Sequence, residues 1–285
     1  MSSWLISPFS ANEFMRNALL AGILVSLLCA VAGTFVVLRG LAFIGDALAH
    51  GVLPGVAGAL LLGTPGMLGA AVGSAVMILG VSFVTNRSGL SSDTAIGLLF
   101  VGMLALGVIM VSRTESFNGD IVRILFGEIL GIRPANLAVL AGAAVAMSAC
   151  VALLYRPFLL LCFDPEQADV AGFPSRRYHA VMLVMVATTV VVSFQAVGTL
   201  LVFGMLIAPA SAGALLARRI GAMIAWAVGI GTLSVYIGLL LSYHYDLSAG
   251  ATVVFVTVCA FFVVLAIQLL RQAAGQARIS QAGVA

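Results

Sequence analysis

Runs of about twenty apolar residues succeed one another from about residue 15 to residue 270, separated only by short polar breaks. A helix of that length crosses a hydrocarbon core about 30 Å thick. In lipid, only helices and closed barrels satisfy all their own backbone polar groups. The chain therefore reads as an all-α, polytopic membrane bundle. Its composition, 62% hydrophobic and 8% charged over 285 residues, lies far from the roughly 25% charged usage of soluble domains. Candidate spans are 15–38, 43–62, 65–86, 93–112, 134–155, 179–197, 198–217, 222–243 and 249–270. The pair 179–197 and 198–217 adjoins at Gly198 without a polar break, so a bent unit there would reduce nine spans to eight. Residues 1–285 are expected to form one transmembrane domain with no soluble one. The opening MSSWLISPFSANEFMRN lacks a basic n-region and a cleavage site, and the apolar run after Arg16 is too long for a signal-peptide core. The first hydrophobic segment is expected to be retained.

Arginine placement predicts the orientation, because short cytoplasmic loops carry the excess of positive charge. With the N-terminus outside, Arg39, Arg87, Arg156, Arg176, Arg177, Arg218, Arg219, Arg271 and Arg278 fall inside, against Arg16, Arg113, Arg123 and Arg133 outside. The expectation is N-out and C-in, with 271–285 a cytoplasmic tail. All thirteen basic residues are arginine. Without lysine a Walker A loop cannot form, so any ATP used must be bound by another chain. The four cysteines, Cys29, Cys150, Cys162 and Cys259, show no C-x-x-C spacing, which argues against a thiolate metal site or a disulfide framework.

Most of the ten carboxylates lie in loops or at span ends. Asp46 does not. It sits in GDALAHG, where an aspartate inside a membrane helix costs about 2.5–3.5 kcal/mol on insertion scales and so faces a cavity or a partner. Residues four apart share a helix face, so Asp46 and His50 can hold one small ligand between them. One oxygen and one nitrogen donor suit Mn²⁺, Zn²⁺ or Fe²⁺, and the lack of clustered Cys or Met argues against Cu(I). The alternative is that Asp46 caps the second span and His50 bonds a backbone carbonyl. His244 and Asp246 in SYHYDLSAG form a second His and carboxylate pair, for which a plain loop role at the outer surface competes with metal ligation. His179, beside Arg176 and Arg177, reads as a solvated span end.

Two connecting segments have patterns of their own. ESFNGDIVRILFGEILGI, residues 115–132, reads as a short amphipathic helix at the outer interface. FDPEQADVAGFPSRRYH forms the longest cytoplasmic loop: Asp164 suits an N-cap, Pro165 the first helical position, and Gly172 the helix end. This small cytoplasmic helix is where a partner is expected to dock.

The segment FMRNALLAGILVSLLCAVAGTFVVLRGLAFIGDALAHGVLPGVA closely resembles the start of the membrane permeases of zinc and manganese ATP-binding-cassette importers, the ABC-3 family. The similarity continues through FDPEQADVAGFPSRRYH and AVGTLLVFGMLIAPASAGALLA to SYHYDLSAGATVV, covering about 15–270. It implies a type II importer permease, built like the vitamin B12 importers without their first helix. It also implies a bacterial plasma-membrane location and three kinds of partner: a second permease copy, a cytoplasmic ATP-binding subunit dimer, and an extracytoplasmic metal-binding protein. Nucleic acid has no part in it. The segment 164–177 matches the family's coupling loop, which sets Asp164, Glu166, Ala168, Gly172, Arg176 and Arg177 towards the ATPase. Asp46 and His50 match the family's GDAxxH motif, whereas His244 stands where members vary.

The resulting expectation is a non-enzymatic permease subunit that moves zinc or manganese inward, with no permanently bound cofactor. Its rivals are a permease for an iron chelate or a B12-like substrate, a gradient-driven secondary metal transporter, and a membrane scaffold. The first would need a wide path without metal ligands. The second would leave the coupling-like loop unused, and the third would leave Asp46 unexplained.

Overall fold

The computed structural model describes residues 2–112 and 129–282. The described residues form helices joined by short turns: α1 (Ser2–Ala11), α2 (Glu13–Leu38), α3 (Ala42–Leu61), α4 (Gly66–Ser88), α5 (Ser92–Ser112), α6 (Pro134–Leu153), α7 (Tyr155–Phe163), α8 (Pro165–Val170), α9 (Ser175–Val197), α10 (Thr199–Leu216), α11 (Ile220–Tyr245) and α12 (Ala249–Ala282). A single 3₁₀ turn, Ile129–Gly131, precedes α6. Most of the amphipathic segment expected over 115–132 lies outside the described residues. Among those described, nine helices are long and apolar enough to cross a membrane.

The unbroken stretch around Gly198 resolves into two helices. Gly198 has φ 82° and ψ 166°, a region open essentially to glycine alone. Its N–H still bonds Phe194 O at 2.9 Å, so α9 closes cleanly and α10 starts one residue later. The expected boundary between 179–197 and 198–217 therefore stands as a break between two spans, made by one glycine without a polar residue.

Helix α2 forms the hub, packing against α6, α9, α10 and α11. In its most apolar window 72% of residues are buried, against 17% for α5 and 11% for α12. The last two therefore present wide apolar faces to lipid or to another chain. Several buried hydroxyls are satisfied within their own helices, as Thr34 is by Ala30 O at 2.8 Å and Thr257 by Val253 O at 2.7 Å, the usual solution for Ser and Thr in apolar surroundings. Among the cysteines only Cys29 is fully buried, and Cys259 faces outward from α12.

The tightest helix pair is α3 with α4. Gly51 and Gly55 on one helix face Gly69 and Gly73 on the other, and a methyl on Gly55 or Gly69 would run into the partner's carbonyl oxygen. This is the small-residue packing that lets membrane helices meet backbone to backbone. It clamps the helix that carries Asp46.

Three further elements depart from the expected spans. The first, α1, packs on α2 and α11, with Phe9 stacked on Tyr236 at 5.2 Å and the Asn12 amide donating to Tyr243 OH at 3.4 Å. The fifth span ends at Leu153, and the chain continues as α7, which buries Pro157, Phe158 and Leu161. The last helix runs on to Ala282.

Candidate functional site

Asp46 and His50 project from the first turns of α3, and the structure brings them together. His50 Nδ1 lies 3.7 Å from Asp46 Oδ1, too far for a hydrogen bond. That Nδ1 is buried and has no hydrogen-bond partner, although an unsatisfied buried polar group is costly. Two atoms bound to one ion at about 2.0–2.2 Å stand about 3–3.6 Å apart. The observed gap is a few tenths wider, a separation that a cation could bridge. The side chains are 23% exposed for His50 and 31% for Asp46, and the imidazole leans on Phe100 of α5 with ring centres 5.2 Å apart. The flanking glycines serve packing: Gly45 faces the Leu206 side chain of α10, and Gly51 faces Met77 of α4. Among the described residues no three His, Cys, Asp or Glu side chains cluster tightly enough to hold a metal on their own.

The second pair is built differently. His244 Nδ1 lies 2.9 Å from Leu240 O, one turn back in its own helix. Asp246 takes φ 51° and ends α11. Helix α11 packs on α2, α10 and α12, while α3 packs on α4, α5, α9 and α10. The two pairs thus belong to different parts of the bundle, and the second has the geometry of a helix terminus.

The segment 164–177 folds as its residues predict. Asp164 accepts from the N–H groups of Glu166 and Gln167, both at 3.0 Å, and Pro165 opens α8. At the other end Gly172 has φ 84°. Phe173 N–H bonds Ala168 O at 2.9 Å and Gly172 N–H bonds Asp169 O at 3.1 Å, which is the Schellman pattern. Ala168 turns inward, 1% exposed, so its part is to seat the helix, while Glu166, Arg176 and Arg177 are exposed. Asp169, which the sequence reading passed over, accepts from Ser175 N–H at 2.7 Å and Ser175 Oγ at 2.8 Å. These two bonds, the backbone one foremost, hold its carboxyl below the ordinary carboxylate value. They pin the loop to the start of α9. Phe163 and Val170 were also passed over, yet they are 71% and 90% exposed on either side of the polar cap. Only their position beside a capped helix could have signalled them.

His179 is not a solvated span end. Its Nδ1 is buried without a hydrogen-bond partner, and the residue lines a cavity of about 310 Å³ with Ser82, Thr85 and Arg176. The packing of α3, α4 and α5 against α9 encloses it, which no local sequence pattern reveals. Above the loop, Arg39 in the turn between α2 and α3 donates to Leu161 O of α7 at 2.8 Å.

Residues 11–268 match the ABC 3 transport family. The chain belongs to this family. Similar to this ABC 3 chain is a Haemophilus influenzae protein named "Probable iron transport system membrane protein", 36% identical over 271 residues, spanning 95% of this chain and 99% of that one. The manganese transport system membrane protein MntC of Listeria monocytogenes is 36% identical over 88% of this chain and 89% of its own. Among solved structures, PsaBC from Streptococcus pneumoniae in complex with Fab superposes with a TM-score of 0.83 at 31% identity, over 93% of this chain and 95% of that one. ABC 3 membership and nine membrane-length helices make this a multi-pass bacterial membrane protein of a transport system.

Proposed function

We propose that this chain is the permease subunit of an ATP-binding-cassette importer that carries a divalent first-row transition metal, manganese before zinc, into the cytoplasm. One observation carries the reading: a carboxylate oxygen and an unpartnered imidazole nitrogen stand 3.7 Å apart on one face of an apolar helix. Relatives named for manganese transport support the choice of ion, and a mixed oxygen and nitrogen donor set tolerates it.

The mechanism follows from the chain's own residues. Ionised Asp46 and neutral His50 offer two donors; water or groups from a second copy complete the shell. Both side chains are partly exposed in a single chain, and a carboxylate facing lipid is expensive. A second permease copy closing a shared path removes that cost and fits the two-fold symmetry usual for such assemblies. An extracytoplasmic binding protein delivers the ion, and cytoplasmic ATP-binding subunits dock on α8 and the start of α9, where Glu166, Val170, Arg176 and Arg177 are exposed. Bond chemistry belongs to those subunits. The segment 164–177 transmits their closure to the bundle.

Iron is the second reading, because the Haemophilus influenzae relative is named for iron transport and Fe²⁺ accepts the same donors. The test is ATP-driven uptake of radiolabelled manganese, zinc and iron(II) by the assembled complex in proteoliposomes, with Asp46→Ala and His50→Ala alongside. Manganese uptake should fall at least about tenfold in each variant while membrane insertion and ATPase attachment persist, since loss of the charge eases insertion. Normal uptake in both variants would overturn the assignment.

A further inference from the structure

The crevice between α4 and α9 is polar at one end and apolar along the rest. Its polar end is the cavity of about 310 Å³ lined by Ser82, Thr85, Ser92, Arg176 and His179. Thr85 Oγ1 and His179 Nδ1 on this wall are both buried without a partner. From Leu79, which both spaces share, the crevice continues as an apolar groove of about 410 Å³ between Ala71, Ala75 and Ile78 on α4 and Val184, Ala187 and Val191 on α9. Thr188 in that groove returns its hydroxyl to Val184 O at 2.8 Å, which leaves little polar surface. Leu79 and Val184 at the rim are 69% and 55% exposed, so the groove opens sideways into the apolar belt.

The cavity is not the exit of the metal path. At about 100° per residue, Ile44, which lines it, points from α3 about 160° away from Asp46 and about 120° away from His50. Its dimensions match a different occupant. Met67 to Leu79 spans about 18 Å of helix at 1.5 Å per residue, close to the roughly 15 Å of one leaflet's hydrocarbon. The polar end lies at the end of the bundle that arginine placement assigns to the cytoplasm, where anionic headgroups gather. Charge there is mainly positive: Arg176 lines the space and Arg39 is close enough to His179 to act on its charge. The nearby acid is Asp93, exposed in the first turn of α5.

We propose that this crevice holds one anionic phospholipid of the cytoplasmic leaflet, its phosphate among Arg176, His179, Thr85 and Ser82 and one acyl chain in the α4–α9 groove. The lipid would wedge α4, which clamps the metal helix, against α9, which rises directly from the docking loop. Lipid content would thereby bear on how the two ends communicate.

The experiment is native mass spectrometry of the detergent-purified permease and ATPase complex, titrated with phosphatidylglycerol, phosphatidylcholine or inorganic phosphate. Expected is one phosphatidylglycerol retained per permease chain, not displaced by phosphate and not replaced by phosphatidylcholine. Arg176→Gln should weaken retention about fivefold, the worth of one basic residue near a membrane surface. Ala187→Phe, which fills the groove, should abolish it, and Thr85→Val, of equal size, should lower it without disturbing assembly. Unchanged retention in Arg176→Gln and Thr85→Val would overturn the proposal even if Ala187→Phe failed to fold. Equal retention of phosphatidylcholine would reduce the crevice to ordinary annular contact. Displacement by phosphate alone would make the occupant a free anion, and disulfide formation between copies carrying Leu79→Cys and Val184→Cys would make it a second chain.

Discussion

The Arg39 guanidinium reaches across from the turn before α3 and donates to Leu161 O, 2.8 Å away on α7. Leu161 is three residues from Asp164, the cap of the docking helix. One hydrogen bond therefore ties the turn that leads into the helix of Asp46 and His50 to the helix that leads into the proposed ATPase-docking segment 164–177. Arg39→Gln should keep manganese binding within about twofold yet lower metal-stimulated ATP hydrolysis several-fold, because a bond from a charged donor is worth about 1.5–3 kcal/mol. Metal content and stimulated hydrolysis measured on the same preparation would separate the two. Unchanged stimulation would remove Arg39 from the linkage.

Docking should depend on apolar contact as well as charge. Val170→Asp sets a carboxylate on the most exposed apolar residue of the segment and should release the ATPase in pull-down at any ionic strength. Glu166→Arg reverses a rim charge, which acts mainly on association and is screened by salt, so its effect should grow as salt is lowered. Manganese bound by the permease should be unchanged in both.

Gly172 and the α3–α4 seam test two uses of glycine. Gly172→Val forces a β-branched residue to φ 84° at a cost of about 1–2 kcal/mol, and should reduce stimulated hydrolysis while leaving uptake sites occupied. Gly69→Val drives a side chain into the Gly55 carbonyl. Overpacking of that kind costs about 1–3 kcal/mol, and the permease's thermal unfolding midpoint should fall with loss of metal content.

Mild acid should leave the 164–177 loop intact. Asp169 has its carboxyl held below the ordinary value by Ser175. Its contribution is complete above the unfolded carboxylate value of about 3.9 and is lost only as pH falls through the lowered folded one. Between pH 7 and pH 5 the protease resistance of the 164–177 loop should therefore stay constant. Asp169→Asn should open the loop to proteolysis at both pH values.

The spans, the Asp164 cap and the Gly172 stop were legible because each rests on local chemistry: apolar length, a side chain reaching two residues on, and a backbone angle open to glycine. The Asp46 and His50 pairing was legible for the same reason, being one helical turn apart. What escaped depends on residues far away in the chain. The burial of His179 needs α3, α4 and α5 around it, and the inward turn of Ala168 needs the rest of the bundle beneath α8. At Gly198 the boundary itself was legible; what waited on the fold was whether two helices or one bent unit meet there. Asp169 looked like any solvated acid until Ser175, six residues on, folded back to meet it.

The glycine seam bears on how this chain is made. Helix α3 has the lowest hydropathy of the nine because it carries Asp46 and His50, and alone it would be the poorest candidate to leave the insertion machinery for lipid. Only Leu62–Pro65 separates it from α4, so the more apolar partner emerges almost at once, with glycines ready to close on its backbone. The pair can be released as a single hairpin, and the Asp46 carboxylate need never meet the bilayer unaccompanied during synthesis.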